Sequence, residues 1–273
     1  MILESAAAPV MISVAPTGAR VSKSDNPATP ITPREIAAEV IACAAAGASI
    51  AHIHARDANG LPTQSIEIYR EIVDRIREKS DVVLQLSLGT RGFSVDQALE
   101  PISLPVEMAS LPLASFEKDD PQTQAKIVEM ARQIKAHSVR PEMSVYNDAM
   151  FSGAMRIIRE EAAAAPYCFG LILGNPADLT TGVRALLALV EQLPKGAHWW
   201  VAKGGSYQLG LRALAIELGG NVRVGFEDSV FDLRGTQPAT SNRALVETIS
   251  QLCVTLGRSI AAPADVRSLL SLR

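Results

Sequence analysis

The feature that most constrains the fold is an alternation. Short β-branched or aliphatic runs are each followed by a longer segment with amphipathic helical spacing, and the pair recurs eight times along the chain. The strand-like runs are Val10–Ala15, Ser49–His54, Val82–Ser87, Val106–Leu111, Glu142–Tyr146, Cys168–Leu173, His198–Ala202 and Val222–Phe226. The helical segments are Pro33–Ala46, Ser65–Glu78, Val95–Leu99, Pro121–His137, Met150–Ala163, Thr180–Gln192, Tyr207–Leu218 and Ser241–Leu256, of which the third is the least well formed. Repeated βα units place their strands in parallel. Eight of them in 273 residues match the ~250 residues of a closed barrel. The expected class is therefore α/β, a (β/α)8 TIM barrel occupying residues 1–273 as a single domain. An open doubly wound sheet is the alternative, but no strand is followed by the GxGxxG turn of dinucleotide-binding sheets. Helix punctuation agrees: Thr32-Pro33-Arg34-Glu35 offers an N-cap threonine, a proline at the first helical position and a glutamate for a capping box, and Gly47 is a stop signal.

Composition narrows the function classes. Hydrophobic residues make up 48% and charged residues 20% of the chain, enough apolar side chain for a sizeable core. The formal net charge of −3 argues against a broad basic face for nucleic acid, while leaving room for a local cationic pocket. Cys43, Cys168 and Cys253 are odd in number and far apart, which points to a reducing compartment rather than a disulfide framework. Met1–Val14 lacks a basic segment leading into a long apolar core, and no run reaches the ~18 apolar residues of a membrane span. A cytoplasmic protein without nucleic-acid or membrane partners is the expectation.

The sharpest local signal is His52-Ile53-His54. Side chains at i and i+2 of a strand share a face, so both imidazoles can aim into the barrel mouth and bind one metal; alternatively, they close the strand through ordinary hydrogen bonds. Neither His137 nor His198 ends a strand, so a carboxylate is the better third ligand. Glu227-Asp228 ends the eighth strand at the same barrel face. Two histidines and a carboxylate leave a coordination position open, as catalytic zinc requires, although either acid can also cap the next helix. Arg223 lies deeper in that strand and reads as an ion-pair partner. Ser87, followed by Leu88-Gly89-Thr90, and Ser110 end two further strands and as a set suggest substrate binding. Arg20 follows the first strand, where its planar fork either receives a carboxylate or faces solvent. Gly204-Gly205-Ser206 offers backbone N–H groups of a kind that bind phosphate, a common turn after barrel strands.

Several spaced motifs together resemble the β-keto acid cleavage enzymes, a family that includes the 3-keto-5-aminohexanoate cleavage enzyme. They are PTGARVSKSDNPATPITPREI near the start, AGASIAHIHARDANG from Ala46, PVEMASL, GGNVRVGFEDSV and LGRSIAAPADVRSLLSL at the end, and the resemblance runs from about Val10 to Leu272. It implies a zinc-dependent barrel that cleaves a β-keto acid with acetyl-CoA as cosubstrate, yielding acetoacetate and a new acyl-CoA. The implied zinc ligands are His52, His54 and Glu227. Asp228 becomes the acid/base aspartate and Arg223 the motif arginine, with substrate contacts at Arg20, Ser87, Thr90 and Ser110. A homo-oligomer is implied as well, with a tetramer as one candidate state.

The departures bear on the substrate. Where the aminohexanoate-cleaving member has a glutamate that recognises an amino group, this chain has Arg20, which repels an ammonium. Ser144 and Ser206 replace a family glutamate and arginine, Ser87-Leu88-Gly89-Thr90 replaces STGG, Ser115-Phe116 an NF pair, and Glu227-Asp228-Ser229 an EDN run. The expected substrate is thus a β-keto acid with an anionic or neutral polar tail, a 3-oxo dicarboxylate being one candidate. Competing readings are a zinc-dependent retro-aldolase or hydrolase that needs no coenzyme A, and a non-catalytic, metal-stabilised barrel that binds a small acid.

Overall fold

The computed structural model describes residues 8–89, 92–111, 113 and 121–273. In chain order the elements are β1 (Ile12–Val14), α1 (Pro33–Ala45), β2 (Ile50–Ile53), β3 (Ala55–Arg56), β4 (Pro62–Thr63), α2 (Ile66–Arg77), β5 (Val83–Ser87), α3 (Val95–Leu99), β6 (Met108–Leu111), α4 (Pro121–Ala136), β7 (Arg140–Val145), α5 (Asp148–Arg159), β8 (Cys168–Ile172), α6 (Leu179–Val190), β9 (His198–Ala202), α7 (Gln208–Glu217), β10 (Asn221–Val224), α8 (Asn242–Thr255) and α9 (Pro263–Leu269). Eight of the described strands close into a parallel barrel in the order β1, β2, β5, β6, β7, β8, β9, β10, with β10 pairing back onto β1. β3 and β4 form a two-residue antiparallel clip above β2. All eight expected βα pairs are present. The boundaries move by one or two residues at most strands, and α5 begins at Asp148 because Asn147 caps it, its side chain accepting from the Met150 N–H. The Thr32 capping box forms as its residue types require.

The apolar layer between strands and helices follows from strand parity, with outward residues such as Ile12, Val14, Ala51, Ile53, Leu84, Leu86 and Val224 fully buried against the helices. Inward residues form a second cluster. Met11, Ile50, Val83, Met108, Cys168 and Trp200 fill the lower barrel, and Ala261, Val266 and Leu270 around α9 plug it from below.

One layer higher in the barrel, inward positions turn polar: Ser13, His52, Gln85, Ser110, Glu142 and Arg223 are all buried. Barrel interiors are ordinarily filled by bulky branched side chains. Polar groups here forgo that hydrophobic stabilisation and must find partners instead, which marks the middle layer as the floor of a site. At the end of β10 the chain turns through Gly225 at φ +142°, where a Cβ would overlap the Ala15 carbonyl. Only glycine lets β10 finish this close to β1, and Glu227 and Asp228 follow from that turn. Buried Arg212 donates to the carbonyls of Lys203, Gln208 and Arg223, tying the ends of β9 and β10 together. No helix among the described residues is long and apolar enough to cross a membrane.

Candidate metal centre and its surroundings

His52 lies inside the barrel on β2, and His54 follows the strand's last residue. Their rings meet edge to face with centroids 5.1 Å apart, as the i, i+2 spacing predicts. Glu227 comes from the turn after β10. Its Oε2 stands 3.4 Å from the Nε2 of each histidine. This oxygen is buried and has no hydrogen-bond partner. Gly18, in the loop after β1, packs against the stem of Glu227; a Cβ there would sit 2.5 Å from its Cγ. Among the described residues, His52, His54 and Glu227 are the group whose donor atoms can converge on a metal ion, all within 4.8 Å of one another.

The electrostatics suit such a role. Burial lowers His52 to a pKa of about 3, with Arg223 and His54 adding to the effect, so its ring is neutral and a lone pair is free to ligate. Burial alone would raise Glu227, but Arg223, followed by the two histidines, holds its carboxyl well below the ordinary range. A buried acceptor oxygen without a hydrogen-bond partner, facing the Nε2 atoms of two imidazoles, is costly as it stands. A cation between the three is the chemistry that resolves it, and two nitrogens plus one carboxylate oxygen fit zinc with a position to spare.

Arg223 binds the acidic pair from below. Its Nε donates to Asp228 Oδ2 at 3.0 Å, and its Nη2 donates to Asp228 Oδ1 at 2.6 Å and to Glu227 Oε1 at 3.2 Å. The Asp228 side chain is wholly covered. Burial opposes the Arg223 charge, but the two carboxylates outweigh it and hold the guanidinium well above its ordinary pKa.

Of the other expected site residues, Ser87 and Ser110 are buried inward neighbours in register on β5 and β6. The Ser87 carbonyl accepts from the Tyr69 hydroxyl and the Gln64 amide, which fixes that strand end. Arg20 is exposed in the loop after β1, and Tyr146 follows the end of β7, its hydroxyl pushed up by burial. Thr90 lies outside the described residues, as do Ser115 and Phe116. His198 begins β9 at the opposite end of the barrel, and the three cysteines are buried and free.

Sequence reasoning missed two members of the floor. Gln85 is completely buried, and Glu142 is 3% exposed. The His52 Nδ1 is 2.7 Å from Gln85 Oε1, and Gln85 Nε2 donates to Glu142 Oε2 at 3.0 Å. Burial raises the Glu142 carboxyl, outweighing Arg223 and the Gln85 amide, which both pull it down. Strand parity was the available signal: Gln85 precedes Ser87 by two residues and Glu142 precedes Ser144 by two, so each pair shares an inward face.

Comparison with known proteins places the chain in a family. The family model described as beta-keto acid cleavage enzyme matches residues 9–272. The chain is 38% identical to a 3-keto-5-aminohexanoate cleavage enzyme of Fusobacterium nucleatum, across 97% of this chain and 98% of that protein. It is 31% identical to the 3-oxoadipate:acetyl-CoA acetyltransferase of Cupriavidus necator, across 97% and 95%. Among solved structures, the apo form of ObcA superposes with a TM-score of 0.73 at 21% identity, covering 90% of this chain and 66% of that one, a likeness of fold. The chain belongs to the beta-keto acid cleavage enzyme family.

Proposed function

We propose that this chain is a zinc-dependent β-keto acid cleavage enzyme that transfers the acyl part of a 3-oxo acid to coenzyme A, using acetyl-CoA and releasing acetoacetate. The observation that carries this reading is the buried, unpartnered Glu227 Oε2 set 3.4 Å from both histidine Nε2 atoms, within a chain whose relatives include a transferase named for 3-oxoadipate and acetyl-CoA. Zinc held by His52, His54 and Glu227 would supply Lewis-acid polarisation of the substrate's keto oxygen.

The chain's own residues account for the rest. Asp228 is the base that removes a proton from C2, the carbon between the two carbonyls. Arg223 uses one lone pair on each Asp228 oxygen and leaves the second free. Because the Asp228 side chain is covered, substrate entry must uncover it. The C2 carbanion bonds to the acetyl carbonyl carbon and expels the coenzyme A thiolate. The thiolate then adds to the original keto carbon and the C2–C3 bond breaks, giving the new acyl-CoA and acetoacetate once C2 is reprotonated. Arg223 offsets negative charge through both steps, while Ser87 and Ser110 offer hydroxyls at the ends of β5 and β6.

The substrate class follows from Arg20. No hydrogen bond or ion pair ties it to another described residue, and it is exposed in the loop after β1, where its planar fork suits a tail carboxylate over an ammonium. A 3-oxo dicarboxylate is the preferred candidate. Incubating the zinc form with acetyl-CoA and a panel of 3-oxo acids, followed by mass spectrometry, tests both parts. Acetoacetate plus a substrate-derived acyl-CoA is expected, most rapidly from dicarboxylates. Product formation without coenzyme A would sink the reaction class, and preference for the 5-amino acid would sink the role of Arg20.

A further inference from the structure

From the hydrogen-bonded chain beneath the metal centre, we propose that Glu142, acting through Gln85, is a positioning residue that fixes which nitrogen of His52 carries the proton and so prepares its Nε2 for the metal. The proposal rests on the metal-centre reading above.

An amide is directional: its oxygen accepts and its nitrogen donates. Gln85 Nε2 donates to Glu142 Oε2 at 3.0 Å, so the NH2 group faces Glu142. Oε1 is thereby turned toward His52, 2.7 Å from Nδ1. An oxygen in that place needs a donor, which puts the His52 proton on Nδ1 and leaves the Nε2 lone pair directed at Glu227 Oε2, 3.4 Å away. Outer hydrogen bonds of this kind set the tautomer and orientation of metal-binding histidines.

Three further facts show that the arrangement is built. Both relay residues are buried. The other Glu142 oxygen, Oε1, accepts from the Ser144 hydroxyl at 3.4 Å. Finally, β8 carries glycine where it faces this carboxylate: a Cβ on Gly170 would come within 2.6 Å of Glu142 Oε1. Gly170 lacks the positive φ that commonly calls for glycine, so the space it leaves for Glu142 is the physical reason for its being there. The relay crosses from β2 to β5 to β7, and no member depends on a loop.

The test uses the full chain with Gln85→Met, which keeps the volume and removes both hydrogen bonds, and Glu142→Gln, which keeps the shape but frees the amide to turn over. Zinc affinity is read by competition with a chromophoric chelator. The His52 tautomer is read in the metal-free protein from long-range proton–nitrogen NMR correlations, assigned by the signals lost in His52→Gln. The expected result is Nδ1 protonation in the wild type, a mixed tautomer in both variants, and zinc binding weakened about 10–100-fold in Gln85→Met with a smaller loss in Glu142→Gln. A packing role alone would leave the tautomer unchanged. Nε2 protonation in the wild type, or wild-type tautomer and affinity in whichever of the two variants folds, overturns the proposal. A wild-type protein that takes up no zinc refutes the metal centre instead, and the NMR result still decides whether the relay sets the tautomer.

Discussion

The two ends of the barrel each hold a half-buried carboxylate among cationic or basic partners, and the two are used differently. At the lower end, Glu107 just before β6 is fully committed: Oε1 accepts from Arg267 at 2.6 Å, and Oε2 accepts from Arg77 at 2.7 Å and from the Leu84 N–H at 3.0 Å. It clamps α2, β5 and α9 together. At the upper end, Glu227 has one oxygen on Arg223 and leaves the other buried without a donor between two histidines. A carboxylate whose acceptor sites are filled by the protein holds structure together. One left with an unfilled site, at a cost of about 1–3 kcal/mol, is kept for something that arrives later.

The largest effect should come from the unfilled site. Glu227→Gln replaces an anionic ligand by a neutral amide of the same shape, and Arg223 keeps its fork on Asp228. Turnover should fall at least about a thousand-fold, equivalent to ~4 kcal/mol in the transition state, with zinc affinity falling in parallel and thermal stability nearly unchanged. Marked destabilisation with retained zinc would place Glu227 with Glu107 and erase the contrast.

Asp228 tests the rule from the other side. Both its oxygens are held by one guanidinium, much as Glu107 is held by two, so satisfaction alone would class it as structural. Its proposed role as base predicts that Asp228→Asn lowers kcat by about 10²–10⁴ while zinc remains bound. A loss below tenfold would remove it from the chemistry and leave the rule unqualified. At the lower end, Glu107→Gln should do the reverse. The amide turns one oxygen into a donor facing a guanidinium and removes the charge from the other, which costs about 2–3 kcal/mol of stability, visible in urea unfolding, while kcat and zinc affinity stay at wild-type values under conditions where the protein is folded.

The same contrast explains what was legible in the sequence. The barrel was, because short strand-like runs such as Val82–Ser87 alternate eight times with helical segments, and the Thr32 capping signal announces the first helix. The candidate metal set was legible in part, since His52 and His54 share a face by local spacing alone and Glu227 ends a strand at the same rim. Gln85 and Glu142 were not. Their meaning depends on the stagger between β2, β5 and β7, which places a glutamine beside one histidine nitrogen, and no single strand's pattern carries that information. Helix α9 was missed for a related reason: seven residues make a weak periodic signal, and its task as a plug appears only once Val266 meets Met11 and Trp200 inside the barrel.

The smallest effect concerns a fourth carboxylate, which lies near the active end and yet follows the rule of the lower one. Glu35, at the start of α1, accepts from the Ile31 and Thr32 N–H groups through Oε2, at 2.9 and 3.0 Å, and from Lys23 through Oε1 at 2.7 Å. Partial burial opposes ionisation, but Lys23 and the two backbone donors outweigh it and lower the pKa to about 2 from 4.5. A folded-state pKa below the unfolded one means stability that is fully present above about pH 4.5 and is lost as pH falls toward 2. Glu35→Ala should therefore cost about 1 kcal/mol near neutral pH, the worth of one capping arrangement, and the gap to wild type should narrow steadily as urea midpoints are measured at successively lower pH below 4.5. Zinc affinity should not change. A gap that widens on acidification would show that the pairing with Lys23 and the backbone is not what holds Glu35, and a loss of zinc would show that position at the active end, rather than an unfilled acceptor site, is what marks a functional carboxylate in this barrel.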